Sequence, residues 1–210
     1  SVQSANDGLL IAEPPAAGDS ADAYTVDYST TTGGTTRWTD GYGGGYGYPD
    51  MRPNDEKSLT YTTLPLASDL EITGHPIAHL WVTSTASDGD FFVYLEEVDP
   101  RGKSTYISEG VLRASHRAIA DAPWDTLGLP FHRSFESDIS PLPDGTPVEL
   151  VFDLLPTSNI FDAGHRLRVT VTGADADTFL TPQLDPPPTV TIYRNADYPS
   201  HIVLPVIPAE

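Results

Sequence analysis

Val148-Glu149-Leu150-Val151-Phe152-Asp153-Leu154 and Leu167-Arg168-Val169-Thr170-Val171 decide the fold class. In each, bulky apolar residues recur with period two, which is how a strand buries one face and leaves the other free. Val148, Leu150, Phe152 and Leu154 form one face of the first stretch, with Glu149, Val151 and Asp153 opposite them. In the second, Leu167, Val169 and Val171 oppose Arg168 and Thr170, and that opposite face is expected mostly in water. The same alternation appears at Leu59 and Tyr61, at Ala78, Leu80 and Val82, and at Phe91, Val93 and Leu95. It returns at Val190 and Ile192 and at Ile202, Leu204 and Val206. With a strand near Tyr106 to Leu112, about eight main strands are expected, and no stretch shows a convincing helical period. The expectation is an all-β protein, a two-sheet sandwich of jelly-roll or related topology.

Turn chemistry separates the strands. Asp99-Pro100-Arg101-Gly102 has the residue order of a type I turn, and Pro143-Asp144-Gly145 is a second break. Twenty prolines and seventeen glycines suit strands joined by turns, and 10% aromatic content is too rich for a disordered chain. Residues 58–210 form the expected sandwich domain. Residues 1–57 differ in kind: Pro14, Pro15, Gly18 and the run Ser29 to Thr32 read as an extended tether or surface wrap, with one possible strand at Tyr24 to Val26. Within it, Gly41-Tyr42-Gly43-Gly44-Gly45-Tyr46-Gly47-Tyr48 joins backbone freedom to aromatic faces, a loop suited to touching another surface or lying over its own domain.

Composition excludes several functions. A formal charge of −19 repels phosphate backbones and anionic membranes, so neither nucleic acid nor membrane is an expected partner. Apolar runs are far shorter than the roughly 20 residues that cross a bilayer, and no basic-then-apolar leader opens the sequence, so a soluble chain without a signal peptide is expected. Cysteine is absent, which removes disulfides and thiolate chemistry and leaves cytoplasmic and secreted locations both open.

Catalytic equipment is missing too. A serine hydrolase needs Gly-x-Ser-x-Gly between strand and helix; Gly18-Asp19-Ser20-Ala21-Asp22 lacks the second glycine and lies in the tether. His75, His79, His116, His132, His165 and His201 show no metal-binding spacing and read as hydrogen-bonding residues of turns and surface. No metal or cofactor is expected; the calcium candidates, should one bind, are Asp88 with Asp90 and Asp175 with Asp177. Trp38, Trp81 and Trp124 with the loop tyrosines could build a sugar-stacking platform. The competing reading packs Trp81 between layers and makes Trp38 and Trp124 anchors of long connections or of an interdomain contact.

The order of local motifs resembles a known family. Gly74-His75-Pro76, Asp88-Gly89-Asp90-Phe91-Phe92-Val93-Tyr94-Leu95 and Val98-Asp99-Pro100-Arg101-Gly102 come first. Glu109-Gly110, Leu112-Arg113-Ala114-Ser115-His116-Arg117 and Gly128-Leu129-Pro130-Phe131-His132-Arg133-Ser134 follow. Leu155-Pro156-Thr157-Ser158-Asn159, Gly164-His165-Arg166-Leu167-Arg168 and Pro199-Ser200-His201-Ile202-Val203-Leu204-Pro205 complete the series. Together they resemble the C-terminal domain of the X-Pro dipeptidyl-peptidase and cocaine-esterase-like serine hydrolases, with Tyr24-Thr25-Val26-Asp27 and Arg37-Trp38 similar to the segment leading into it. The resemblance implies a galactose-binding-like jelly roll that follows an α/β-hydrolase domain carrying a Ser-Asp-His triad, with all triad residues upstream. It therefore implies no catalytic residue in this chain and no covalent chemistry by the chain alone. The implied partner is the α/β-hydrolase catalytic domain of the same parent chain, any homo-oligomer would form through the parent enzyme, and the implied role is to help wall the active-site cleft. Trp38, Tyr42, Tyr46, Tyr48 and Trp124 are the candidate cleft-lining residues. Alternatives are a free-standing carbohydrate-binding module and a purely structural or adhesive sandwich.

Overall fold

The computed structural model describes residues 7–15, 18, 20–40 and 47–208. Among the described residues the chain forms β1 (Asp7–Leu9), β2 (Ala21–Thr25), α1 (Arg37–Asp40), α2 (Arg52–Asp55), β3 (Leu59–Thr62), β4 (Leu70–Gly74), β5 (Ile77–Ser84), β6 (Asp90–Val98) and β7 (Ser104–Arg113). After a long connection follow β8 (Val148–Asp153), β9 (Thr157–Phe161), β10 (Arg166–Thr172), β11 (Thr189–Tyr193), β12 (His201–Val203) and β13 (Val206–Ile207). Both α-helices are single turns.

Three sheets result. The first runs β1-β3-β10-β6-β7; the second runs β12-β5-β11-β2 with β8 also paired to β5; a small third runs β13-β4-β9. Phe91, Val93 and Leu95 of β6 and Leu167, Val169 and Val171 of β10 point inward from the first sheet. Against them pack Ala78, Leu80 and Val82 of β5, Leu150 and Phe152 of β8, and Val190 and Ile192 of β11. These are the alternating residues of the sequence, so the two-sheet sandwich is present with the expected faces inside. The turn at Asp99 also forms: Gly102 N donates to Asp99 O at 2.9 Å, the Asp99 carboxylate accepts from the Arg101 and Lys103 amides, and Gly102 takes a φ of 86°.

Three features differ from the sequence reading. First, strands exceed eight because β1, β4 and β9 are short and mixed in polarity, below what alternation alone detects, and because the stretch expected as one strand through Ile202, Leu204 and Val206 divides into β12 and β13 of different sheets. Second, the stretch before residue 58 supplies strands to both large sheets, since β1 pairs with β3 and β2 with β11. Third, the outer face of the first sheet is not in water. Arg168, Thr170 and Thr172 are buried, as are Phe92, Tyr94 and Glu96 on β6. Described residues of the stretch 30–58 lie across them, with Met51 packed on Phe92, Tyr94 and Tyr106. Polar side chains tolerate this covering because they bond one another and the backbone: Thr30 Oγ1 donates to Ala174 O at 2.8 Å, and Thr31 N to Asn54 Oδ1 at 2.9 Å.

Close packing at the seam between β7 and β8 makes one stability prediction. A Cβ at Gly110 would lie 2.6 Å from Asp153 O, a backbone atom that cannot swing away. Gly110→Ala is expected to cost about 1–3 kcal/mol, measured as a lowered urea midpoint at unchanged m-value.

A candidate interdomain face

The covering segment creates an aromatic and acidic cluster on the outer face of the first sheet. Tyr48 stacks on Tyr106 with centroids 3.6 Å apart and planes at 6°, and its hydroxyl accepts from the Arg37 backbone amide at 3.1 Å. The Arg37 guanidinium sits 5.5 Å above the Tyr106 ring. Trp38 Nε1 donates to Glu109 Oε1 at 2.6 Å, and the indole meets the edge of Phe179 at 5.6 Å. Trp38 remains 45% exposed, with Val111 and the fully exposed Leu180 also bare on the surface.

Electrostatics sharpen the cluster. Burial pushes the Glu109 carboxyl above its ordinary value, and the nearby Asp175 charge adds to the push while the Trp38 bond opposes it. Burial also raises the Tyr94 and Tyr106 hydroxyls, with Asp175 and Glu109 respectively the next cause. The folded state thus binds the Glu109 proton more tightly than the unfolded chain does. Its contribution is fully present below the ordinary glutamate range and is lost as pH rises through the higher folded value. Glu109→Gln should therefore flatten part of the fall in stability that begins above the ordinary glutamate range, read from urea midpoints across a pH series.

A second exposed element is the connection formed by residues 117–147. Ile119, Trp124, Leu127, Phe135 and Ile139 stand on it between 49% and 85% exposed. Its base is braced: the ring nitrogens of His132 lie 3.2 Å from Ala118 O and 2.9 Å from Val151 O, the Arg117 guanidinium donates to Ser140 O, and Leu142 is buried in the core. Trp124 meets Phe131 edge-on at 5.0 Å, and Arg133 holds Asp138 while lying over Phe135.

The residues singled out in the sequence separate accordingly. Trp38 and Tyr48 meet in one cluster; Trp124 stands apart on the 117–147 arm; Tyr42 and Tyr46 lie outside the described residues. Trp81 is not between layers. Its neighbours Leu80 and Val82 take the inward positions, so Trp81 faces outward from β5, half-buried against Tyr198 at 5.1 Å. Trp38 and Trp81 consequently occupy opposite outer faces of the sandwich and build no common platform.

The calcium candidates are engaged elsewhere. Asp175 accepts from Thr32 N, Thr32 Oγ1 and the Tyr94 hydroxyl, fully buried rather than in an open loop. Asp177 accepts from Thr31, Asp88 from the Gly89 and Ser115 amides, and Asp90 is held bidentately by Arg113. Among the described residues the convergent ligand-type group is instead Glu97, Asp162 and His165, with ligand atoms within 4.8 Å. Glu97 Oε1 there accepts from Asp162 N and pairs with His165 Nδ1, both at 2.9 Å, which staples the turn before β10. Sequence spacing gives no sign of this group, because 65 residues separate Glu97 from Asp162.

Sequence reading also missed the residues that build the polar layer under the cluster. Arg168 Nη1 donates to Asp55 Oδ2 at 2.5 Å, Thr170 reaches Asp55 at 3.2 Å, and Ser104 Oγ donates to Glu96 Oε2 at 2.6 Å. The available signal was Arg168 itself, a charge on an otherwise apolar and threonine-rich strand.

Comparison with known proteins gives the family and the fold. The profile of the X-Pro dipeptidyl-peptidase C-terminal non-catalytic domain matches residues 1–203. A Mycobacterium bovis protein named as a serine esterase is 47% identical over 205 residues, covering 96% of this chain and 32% of its own length. The cocaine esterase of a Rhodococcus species is 31% identical over 206 residues, covering 90% of this chain and 33% of its own. Among solved structures, an aminopeptidase from a marine-sediment Thaumarchaeota archaeon superposes with a TM-score of 0.69 at 22% identity, over 99% of this chain and 36% of that one. An α-amino acid ester hydrolase superposes at 0.64 and 23% identity, over 93% and 34%. The chain spans about a third of the length of the relatives it matches.

Proposed function

The chain belongs to the family of X-Pro dipeptidyl-peptidase C-terminal non-catalytic domains, and from that premise we propose that it packs on an α/β-hydrolase domain of the same parent chain and helps to wall that domain's active-site cleft. The observation that carries the proposal is the 117–147 arm. Five large apolar side chains stand exposed on one braced connection, where water disfavours them and a partner domain would cover them. The Trp38 and Tyr48 cluster is the second part of the proposed wall. Rigid aromatic side chains over a cleft limit substrate size, so the contribution is selectivity rather than bond breaking. The parent activity would be ester or Xaa-Pro peptide hydrolysis by a serine nucleophile located upstream.

Hydrogen exchange tests the packing. Amides of residues 119–139 are expected to exchange at least about tenfold more slowly in the parent enzyme than in the 210-residue chain. Unchanged exchange along the arm would remove the proposal. Trp124→Ser should leave the isolated chain within about 0.5 kcal/mol of its original stability, because the indole is mostly in solvent. In the parent the same change is expected to lower kcat/KM for bulky esters more than for small ones.

A further inference from the structure

His79 and His201, far apart in the sequence, meet on the outer face of the second sheet. On β5 the neighbours of His79, Ala78 and Leu80, are buried in the core, so the imidazole points outward; β12 sets His201 directly opposite it. The two rings stack with centroids 4.4 Å apart and planes at 8°. Directly opposed side chains on antiparallel strands have Cβ atoms about 4.5–5.5 Å apart, close enough for both rings to reach one ion. Strand register makes the pair, so no spacing motif announces it.

Hydrogen bonds fix which nitrogen each ring offers. His79 Nδ1 lies 3.1 Å from Glu149 Oε1, and His201 Nδ1 lies 2.7 Å from Pro199 O. A carboxylate and a carbonyl oxygen only accept, so each Nδ1 carries a proton and donates it, and the lone pair of the neutral ring is left on Nε2. Among the described residues no protein group bonds either Nε2. Histidines that hold a metal almost always donate their other ring N–H to a carboxylate or a backbone carbonyl, which fixes the ring and its tautomer. Glu149 and the Pro199 carbonyl give this support, one of each kind. The pair is open to a solvated ion, since the His79 side chain is 26% exposed and His201 stands in solvent, and a formal charge of −19 attracts cations. The Glu97, Asp162 and His165 group is less suited, because Glu97 Oε1 and His165 Nδ1 are bonded to each other.

We propose that His79 and His201 form a two-imidazole site for a divalent late first-row transition ion, of which zinc is the redox-inert member. Both Nε2 atoms bind the ion, water fills the remaining positions, and Glu149 and the Pro199 carbonyl act as positioning groups. Imidazole suits zinc, nickel and copper, whereas calcium and magnesium take oxygen ligands, so the ligand set selects the class of ion. Zinc–nitrogen bonds of about 2.0–2.1 Å put two nitrogens of one tetrahedral ion about 3.3 Å apart. The stacked rings reach that spacing by turning about χ2, a torsion with broad preferences. The bound ion would tie the three-residue strand β12 to β5, its partner among the described strands. Nothing in this site depends on a parent enzyme.

Calorimetric titration of the untagged, metal-free 210-residue chain with zinc chloride tests the site. One zinc per chain, not displaced by excess calcium chloride, is the expected result. His79→Gln and His201→Gln should each weaken binding by about tenfold or more, and Glu149→Gln by about tenfold through the lost ring support, while His165→Gln stays within about twofold. Zinc should also raise the urea midpoint of the original chain and leave that of His201→Gln unchanged, because the ion binds the folded pair and not the unfolded chain. Electron paramagnetic resonance of the chain loaded with one equivalent of copper(II) should show two imidazole nitrogens bound to the metal. Absence of saturable zinc binding, displacement of zinc by calcium, binding that survives both histidine substitutions, or binding lost in His165→Gln would overturn the proposal.

Discussion

Replacing Arg168 with methionine is expected to destabilise the chain by about 3–5 kcal/mol, among the largest effects of any single substitution. The side chain is 1% exposed and Asp55 is 0% exposed. Arg168 also donates from Nε to Thr62 Oγ1 at 3.0 Å. Removing the guanidinium strands a buried carboxylate, and that uncompensated charge, rather than the lost attraction, dominates the cost. Glu96 completes the group. Burial holds its carboxyl well above the ordinary value and the Asp55 charge adds to the shift, since one guanidinium cannot neutralise two enclosed carboxylates. The stability due to the Glu96 proton is complete below the ordinary glutamate range and is lost as pH rises through the raised folded value. A double variant, Arg168→Met with Asp55→Leu, should recover much of the loss, because it removes both charges together. Urea midpoints of the two variants across pH make the comparison; equal losses in both would show that lost packing, not a stranded charge, sets the cost.

Phe91→Ala is expected to cost about 3–5 kcal/mol by a different mechanism. Phe91 is 2% exposed and sits on the inner face of β6, where both sheets close around it. Truncation leaves a cavity that the paired neighbours β7 and β10 cannot collapse to fill, as each is fixed by its own ladder. The loss should be nearly independent of pH, in contrast to the Arg168 variant. A pH-dependent loss from Phe91→Ala would mean that the two faces of the first sheet are energetically coupled.

The inner layer was legible in the sequence because alternation reports burial directly. Leu167, Val169 and Val171 announced their face, and so did Ala78, Leu80 and Val82. The outer layer was not legible by the same rule. Arg168 and Thr170 alternate with apolar residues as solvent-facing positions do, and nothing local says that residues 30–58 return to cover them. That covering is a contact across more than 100 positions, as the separation of Asp55 from Arg168 shows. The candidate face was partly legible. Trp38 and Trp124 were recognisable as large aromatics in connections, but the Trp38 partner Glu109 looked like an ordinary strand acid, and Trp81 was misplaced because a strand residue can face either way. The burial of Asp175 was hidden for the same reason: it looks like a loop carboxylate until the threonines of a distant segment close on it.

Family membership in a non-catalytic domain, the span of about a third of its relatives and the two exposed elements support the proposal that the chain helps to shape an active site whose catalytic residues lie elsewhere in a parent enzyme. Turnover of a chromogenic ester and of an Xaa-Pro anilide, by the purified 210-residue chain and by its parent enzyme, tests that claim most directly. The expected result is hydrolysis of at least one substrate by the parent, abolished by replacing an upstream serine, and none by the chain alone. Hydrolysis by the chain alone that is lost on replacing one of its own serines would contradict it.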